Sequence, residues 1–197
     1  MTASKREITP DDLISLEAYT RIRKEHRAAL VARKRQRRLE VGPVASIHFE
    51  NYDSMWFQVQ EMLYIERGGE AQIAGELAAY NPLIPQGREL VATILFEIED
   101  PDRRKRMLAK LGGIENNAFI EIGGERIRGV AEEDQERSTA EGKASSVQFV
   151  HFPFTEAQVA AFRRPEARIA VGFDHPNYGH LSAMPESVRQ ALAEDFD

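Results

Sequence analysis

Apolar positions in the first forty residues recur every three or four. Leu13, Leu16, Tyr19, Ile22, His26, Ala29 and Leu30 form one stripe, the period of an amphipathic helix. Thr9 can cap it, Pro10 fits a first turn, and Asp11 and Asp12 favour the positive end of a helix dipole. The helix is expected to run until Gly42-Pro43. Val44–Phe49 then alternates as a strand. A helix capped by Asp53 or Ser54 buries Trp56, Val59 and Leu63, and Gly68-Gly69 ends it. A short helix over 70–80 leads into "NPLIPQG", whose prolines forbid regular helix.

The second half reads mostly as strands. "ELVATILFEIE" is strand-like, "PDRRKRMLAKLGG" a helix opened by proline, and "NAFIEIGGERIRGV" a hairpin turning at Gly123-Gly124. A polar stretch covers 132–142. Beyond it "SSVQFVHFPF", "ARIAVGF" and "GHLSAM" predict strands, and "TEAQVAAFRR" and "PESVRQALAEDF" predict helices. The pattern predicts an α+β fold, a mostly antiparallel sheet with segregated helices and a long basic N-terminal helix. Residues 1–42 form the basic helical segment and 43–197 the α+β domain, expected to make one compact unit.

Composition narrows the chemistry. With 197 residues, 42% hydrophobic, the chain can bury one sizeable core. No apolar run approaches a membrane span, and the first residues lack the apolar stretch of a secretory signal, so a cytoplasmic location is expected. Cysteine is absent. That excludes a thiol nucleophile and a cysteine-ligated cluster within the chain. Net charge is −6, but residues 1–40 carry eleven Lys or Arg against six Asp or Glu, so this end is positive and the remainder strongly negative.

Known chemical signatures fail. There is no G-x-G-x-x-G, no G-x-x-x-x-G-K-[ST], no G-x-S-x-G and no H-E-x-x-H. No histidine has a glutamate three positions before it, so the helical diiron pattern is missing. What remains is "FDHPNYGH", where Asp174, His175, Tyr178 and His180 crowd into eight positions. Asp174, Pro176, Asn177 and Gly179 favour a reversal that would fold these groups toward one another. Two imidazoles, a phenol and a carboxylate can bind a divalent transition metal or move protons. Such a turn also needs no ligand, and that reading is the stronger. Glu50, Glu61, His48 and His151 are the further ligand candidates, with Glu61 pairing to a surface arginine and His48 and His151 packing in strands as the commoner outcomes. His26 is expected as half-buried packing. Glu97 and Glu99 share a strand face but support no catalytic pair.

The basic run over 21–38 holds Arg21, Arg23, Lys24, Arg27, Arg33, Lys34, Arg35, Arg37 and Arg38. These could neutralise phosphates. Yet no aromatics interleave and the body is acidic, so docking on the acidic remainder of this chain or of a second subunit, or simple solvation, outranks nucleic acid.

Several phrases, among them "ITPDDLISLEAY", "VGPVASIHFEN", "QVQEMLYIER", "YNPLIPQGREL", "LGGIEN", "RIRGVAEEDQERS" and "FDHPNYGH", occur in order across nearly the whole chain. Together they resemble the bacterial domain-of-unknown-function 3501 family. The resemblance implies an accessory role beside rubrerythrin-like proteins and iron-sulfur oxidoreductases, and no catalytic residues. The family-like positions are Glu50, Asn51, Gln58, Glu61 and Arg67 from the central phrases, and Asp174, His175, Tyr178 and His180 from the last. The leading expectation is a partner protein that docks an iron-sulfur or diiron protein through charged faces. The runner-up is a metal-binding protein or metalloenzyme centred on His175 and His180, with Glu61 or His48 completing the shell.

Overall fold

The computed structural model describes residues 5–132 and 144–197. Most of the polar stretch read over 132–142 lies outside them. In chain order the elements are α1 (Leu16–Lys34), β1 (Arg38–Val41), β2 (Ala45–Phe49), α2 (Tyr52–Glu66), α3 (Glu70–Tyr80), β3 (Glu89–Phe96) and α4 (Pro101–Leu108). There follow β4 (Ala118–Ile122), β5 (Glu125–Arg128), β6 (Val130–Ala131), β7 (Val147–Pro153), α5 (Glu156–Arg163), β8 (Ile169–His175), β9 (Tyr178–Ala183) and α6 (Glu186–Ala193). The class is α+β as expected from the alternation of periods. The antiparallel strands form two sheets, ordered β1-β2-β3-β7-β6 and β5-β4-β8-β9.

The sheets close on one another around a shared core. Along β3, Leu90, Ala92, Ile94 and Phe96 point inward, and Val150 and Phe152 of β7 and Ile120, Val171 and Phe173 of the second sheet meet them. One seam is a bend at Gly129, where the chain passes from β5 in one sheet to β6 in the other. The Gly129 N–H still donates to Ala118 O at 2.9 Å. A side chain there would strike Val150, since an added Cβ sits 2.4 Å from its methyl group. At the other seam Ser182 Oγ donates to Glu40 O, joining β9 to β1. Phe154, Phe162 and Phe196, with centroids 4.8–5.7 Å apart, plug the end beneath α5 and α6. Leu108, Leu111 and Ile114 join the core from α4 and the loop after it.

The outer face of the five-stranded sheet carries the helical layer. Val91 meets Met55, Val59 and Leu63 of α2, with Ile8, Leu83 and Ile84 beside them. Helix α1 rests on α2 and buries only Tyr19 and Leu30 of its nineteen residues.

The N-terminal helix is shorter than its sequence period suggests. Residues before Ser15 do not join it: Pro10–Asp12 makes a separate 3-10 turn, and tertiary bonds hold the segment, with Asn81 taking the Ile8 N–H (2.8 Å) and donating to Ile8 O (2.9 Å), Gln60 taking the Ile14 N–H (2.9 Å), and Trp56 Nε1 donating to Asp12 O (2.9 Å). Thr9 and Pro10 do open a turn, but it is this short one, closed by the Thr9 N–H on Asp12 (2.8 Å), while Ser15 caps α1. At the far end Leu39 and Val41 alternate into the core and pair with Ile47 and Ala45, so the last basic residues open a strand. Residue 51 likewise replaces 53 or 54 as the cap of α2, because the Asn51 side chain accepts the Ser54 N–H while Ser54 Oγ takes the Asn51 N–H.

Candidate functional site

The "FDHPNYGH" stretch is the hairpin β8–β9, turning at Pro176-Asn177 with His175 opposite Tyr178 and Phe173 opposite His180. Directly opposed residues share a face. His175, Tyr178 and His180 therefore point to the inner side, and Asp174 to the outer. Tyr178 is buried and its hydroxyl is fully used, donating to Val41 O (2.7 Å) and accepting from Ala45 N (3.0 Å) and Val44 N (3.3 Å). Burial pushes its phenol up. The His180 ring packs edge-on against it at 4.4 Å and lies over Gly42. Gly42 has φ +72, and a Cβ there would sit 2.6 Å from the imidazole, so only glycine fits.

His175 has both nitrogens engaged. Nδ1 accepts the Asn177 N–H at 3.2 Å and Nε2 reaches Gly112 O at 3.2 Å, which fits a neutral ring protonated at Nε2. The Asn177 amide donates to Lys110 O at 2.9 Å. Asp174 meets Arg128 (2.7 Å) and Arg126 (3.3 Å), and Arg128 holds its carboxyl below the usual range. Arg126 in turn covers the Phe119 ring at 4.1 Å. The hairpin thus fastens the β1–β2 turn, the loop after α4 and the outer sheet face together.

The central family-like residues lie elsewhere and are also occupied. Glu50 is buried and accepts from Ser54 Oγ (2.6 Å) and Thr93 Oγ1 (2.7 Å). Gln58 reaches the Tyr80 hydroxyl at 3.4 Å, and Arg67 ends α2 in the left-handed region (φ 54) with its N–H on Leu63 O. Glu61 accepts Arg23 Nε (2.7 Å), Arg23 Nη2 (2.8 Å) and the Tyr19 hydroxyl (2.6 Å). The Arg23 hydrogen bonds hold its carboxyl down. Glu61 is therefore the α1–α2 clasp, in the helical layer rather than beside the hairpin.

The other histidines pack or pair. His26 stacks on Phe57 at 5.8 Å. His48 bonds Ser46 Oγ at 3.1 Å, and burial, seconded by Arg38, lowers its pKa. His151 bridges Glu89 (3.0 Å) and Glu132 (2.7 Å), whose hydrogen bonds, Glu89 foremost, raise it. Glu97 is paired with Arg38 at 2.9 Å. Among the described residues no three His, Asp or Glu side chains are grouped to hold a metal ion.

Of the nine basic residues between 21 and 38, five are paired: Arg21 with Glu17, Arg23 with Glu61, Arg33 with Asp53, Arg37 with Asp195, and Arg38 with Glu97 and Glu40. Arg37 is buried. Its Nε donates to Phe49 O (3.1 Å), Nη1 to Ala191 O (3.2 Å) and Nη2 to Glu50 O (3.1 Å) as well as to Asp195. Lys24, Arg27, Lys34 and Arg35 have no ion pair among the described residues. Lys24, Arg27 and Arg35 are exposed on the outer side of α1 together with Val31.

An open groove lies where α1 ends, α2 begins and α6 ends, and the sequence did not single it out. Its larger lobe, about 400 Å³, is lined by Lys5, Arg6, Asn51, Asp53, Glu194 and Asp195 among others. The smaller, about 190 Å³, has Leu30, Phe49 and Ala191 with Lys34 and Arg37. Asn51, Asp53 and Glu194 line both lobes. Asp195 is buried, and desolvation raises its carboxyl despite Arg37. Both chain ends build this place: Arg6 Nη1 donates to Pro85 O (2.8 Å) and Asp195 O (2.9 Å). No local motif signals a contact between residues so far apart; only the charged composition of the two ends hints at it.

Comparison with known proteins adds relationship without activity. The model of a family described as protein of unknown function (DUF3501) matches residues 7–196. A crystal structure titled as a novel protein of unknown function from Burkholderia pseudomallei K96243 is similar with TM-score 0.89 and 35% identity, covering 96% of this chain and 99% of that one. No curated protein matches.

Proposed function

The chain belongs to the DUF3501 family, and from that premise we propose that it is a docking partner of a redox system, seating an iron-sulfur or diiron protein against the outer face of α1. The observation that carries this reading is α1 itself. It is a nineteen-residue helix with two buried residues, whose outer side presents unpaired Lys24, Arg27 and Arg35 around exposed Val31. A helix held by so little of its surface has a face to offer. Basic charge ringing an apolar centre favours a partner surface that is acidic at its rim and apolar within. The redox character of the partner comes from the family resemblance.

The metal-centred alternative draws no comparable support. Both nitrogens of His175 are engaged, and Glu61 is clasped by Arg23 and Tyr19 in another layer.

The test is direct binding between purified components: this protein with the rubrerythrin-like protein and with the iron-sulfur oxidoreductase of the same organism. Binding is expected to weaken roughly tenfold or more from low to high salt. The charge-reversed variant K24E/R27E/R35E should lose it. Absence of binding to either protein at low salt, or binding indifferent to the reversal, overturns the proposal.

A further inference from the structure

The groove at the ends of α1 and α6 contains features that protein–protein docking does not use. Its walls carry both signs of charge. Half-buried Lys34 and exposed Glu194 both line the smaller lobe, and neither has an ion-pair partner within 4 Å among the described residues. The same lobe has an apolar wall of buried Leu30 and Phe49 and half-buried Ala191. The larger lobe adds a third carboxylate. Asp195 has one oxygen, Oδ2, on Arg37, while Oδ1 has no hydrogen-bond partner among the described residues in a side chain only 8% exposed.

These walls are fixed before any ligand arrives. Arg37 is held by three carbonyl oxygens and by Asp195, which pins the floor between Phe49 on β2 and Ala191 on α6. Asn51 is locked as the cap of α2. Arg6 ties the first residues to Asp195 and Pro85. A pre-formed cavity with a few placed polar groups over an apolar floor is the common form of a small-molecule site.

The charge pattern selects the ligand class. A simple anion would face Glu194, Asp53 and Asp195. A simple cation would face Lys34, Arg33 and Arg37. A neutral apolar molecule would leave the charges of Lys34 and Glu194 in a partly desolvated space without partners. A molecule carrying both charges on a small apolar body can offer a complement to each kind of charge, through charge-assisted hydrogen bonds.

We propose that this groove binds an amino-acid zwitterion, with its carboxylate at Lys34, its ammonium at Glu194 and Asp195, and its apolar part over Leu30 and Phe49. The larger lobe provides room for a second residue, so a dipeptide belongs to the same class. The site lies at the C-terminal end of α1, and the proposal stands independently of whether the outer face of that helix docks a partner.

The experiment uses the whole chain. Its unfolding temperature is measured with each of the twenty free amino acids and a set of apolar dipeptides, and the best is titrated by calorimetry. Its N-acetylated and methyl-esterified forms, which remove one charge each, are the controls. At least one free zwitterion is expected to raise the unfolding temperature, and each blocked form to bind at least roughly tenfold more weakly. Lys34→Ala and Glu194→Gln should each weaken binding by a similar factor. Both should change the unliganded unfolding temperature little, since neither side chain makes an ion pair or hydrogen bond among the described residues. No shift from any amino acid or dipeptide overturns the proposal. So does equal binding of the blocked forms, or full binding by both variants.

Discussion

The β8–β9 hairpin and the groove beside α6 both gather ionisable side chains and use them in opposite ways. In the hairpin, Tyr178, His175 and Asp174 spend their polar atoms on the protein: three backbone groups, a carbonyl and an N–H, and two guanidinium groups. In the groove, Lys34, Glu194 and one oxygen of Asp195 have no ion pair or hydrogen bond among the described residues once the buried Arg37 pair is made. The difference teaches that a dense cluster of reactive residue types is poor guidance to a site. The better sign is polar groups that the fold positions and leaves unspent.

Arg37→Ala removes the partner of a buried carboxylate and the donor to three carbonyls, and should cost about 3–5 kcal/mol in urea unfolding. The loss should shrink as pH falls, because protonating Asp195 removes the stranded charge. A small loss at neutral pH means the groove floor is not held as described. Next, Tyr178→Phe strands the Val44 and Ala45 N–H groups in the core and is expected to cost about 3 kcal/mol. If it is silent, the hairpin is not a fastener and its residues are free for another role.

A smaller effect separates a titrating histidine from the packed ones. Glu89 and Glu132 raise His151, so its contribution to stability is fully present below its unfolded pKa of 6.5 and is lost as pH rises through the higher folded value. Urea midpoints of the native protein should therefore fall across that window, with the fall absent in His151→Gln. Smallest of all, the K24E/R27E/R35E variant should change stability by no more than about 0.5 kcal/mol, because these side chains are exposed and make no ion pair among the described residues, Arg27 acting on Glu61 only through solvent-screened charge. A large loss would show that α1 is held by its outer face as well.

Much of the fold was legible from local pattern. The strands over 89–96, 118–128, 147–153 and 169–183, the helices opened by Pro101 and Thr155, and the turn at Gly123-Gly124 all follow from periodicity and turn chemistry that neighbouring residues settle among themselves. The basic run was less legible. Its helical period continues toward Gly42, yet Leu39 and Val41 leave the helix because β2 gives them a core to enter.

The hairpin reversal was legible too, since Asp-His-Pro-Asn fixes a turn wherever it lies. What the turn brings together was not. A strand pairing sends Asp174 to one face and His175 to the other, and the identity of their partners, Arg128 and Gly112, depends on β5 and on the loop after α4. The α+β class, most elements and the two-ended charge can be read along the chain, because they depend on residues within a turn or two of each other. Which polar groups are spent and which remain is settled only when distant segments pack. That outcome depends on where Arg6, Arg37, Asn51 and Asp195 meet, and backbone closure over such separations leaves no trace in local spacing.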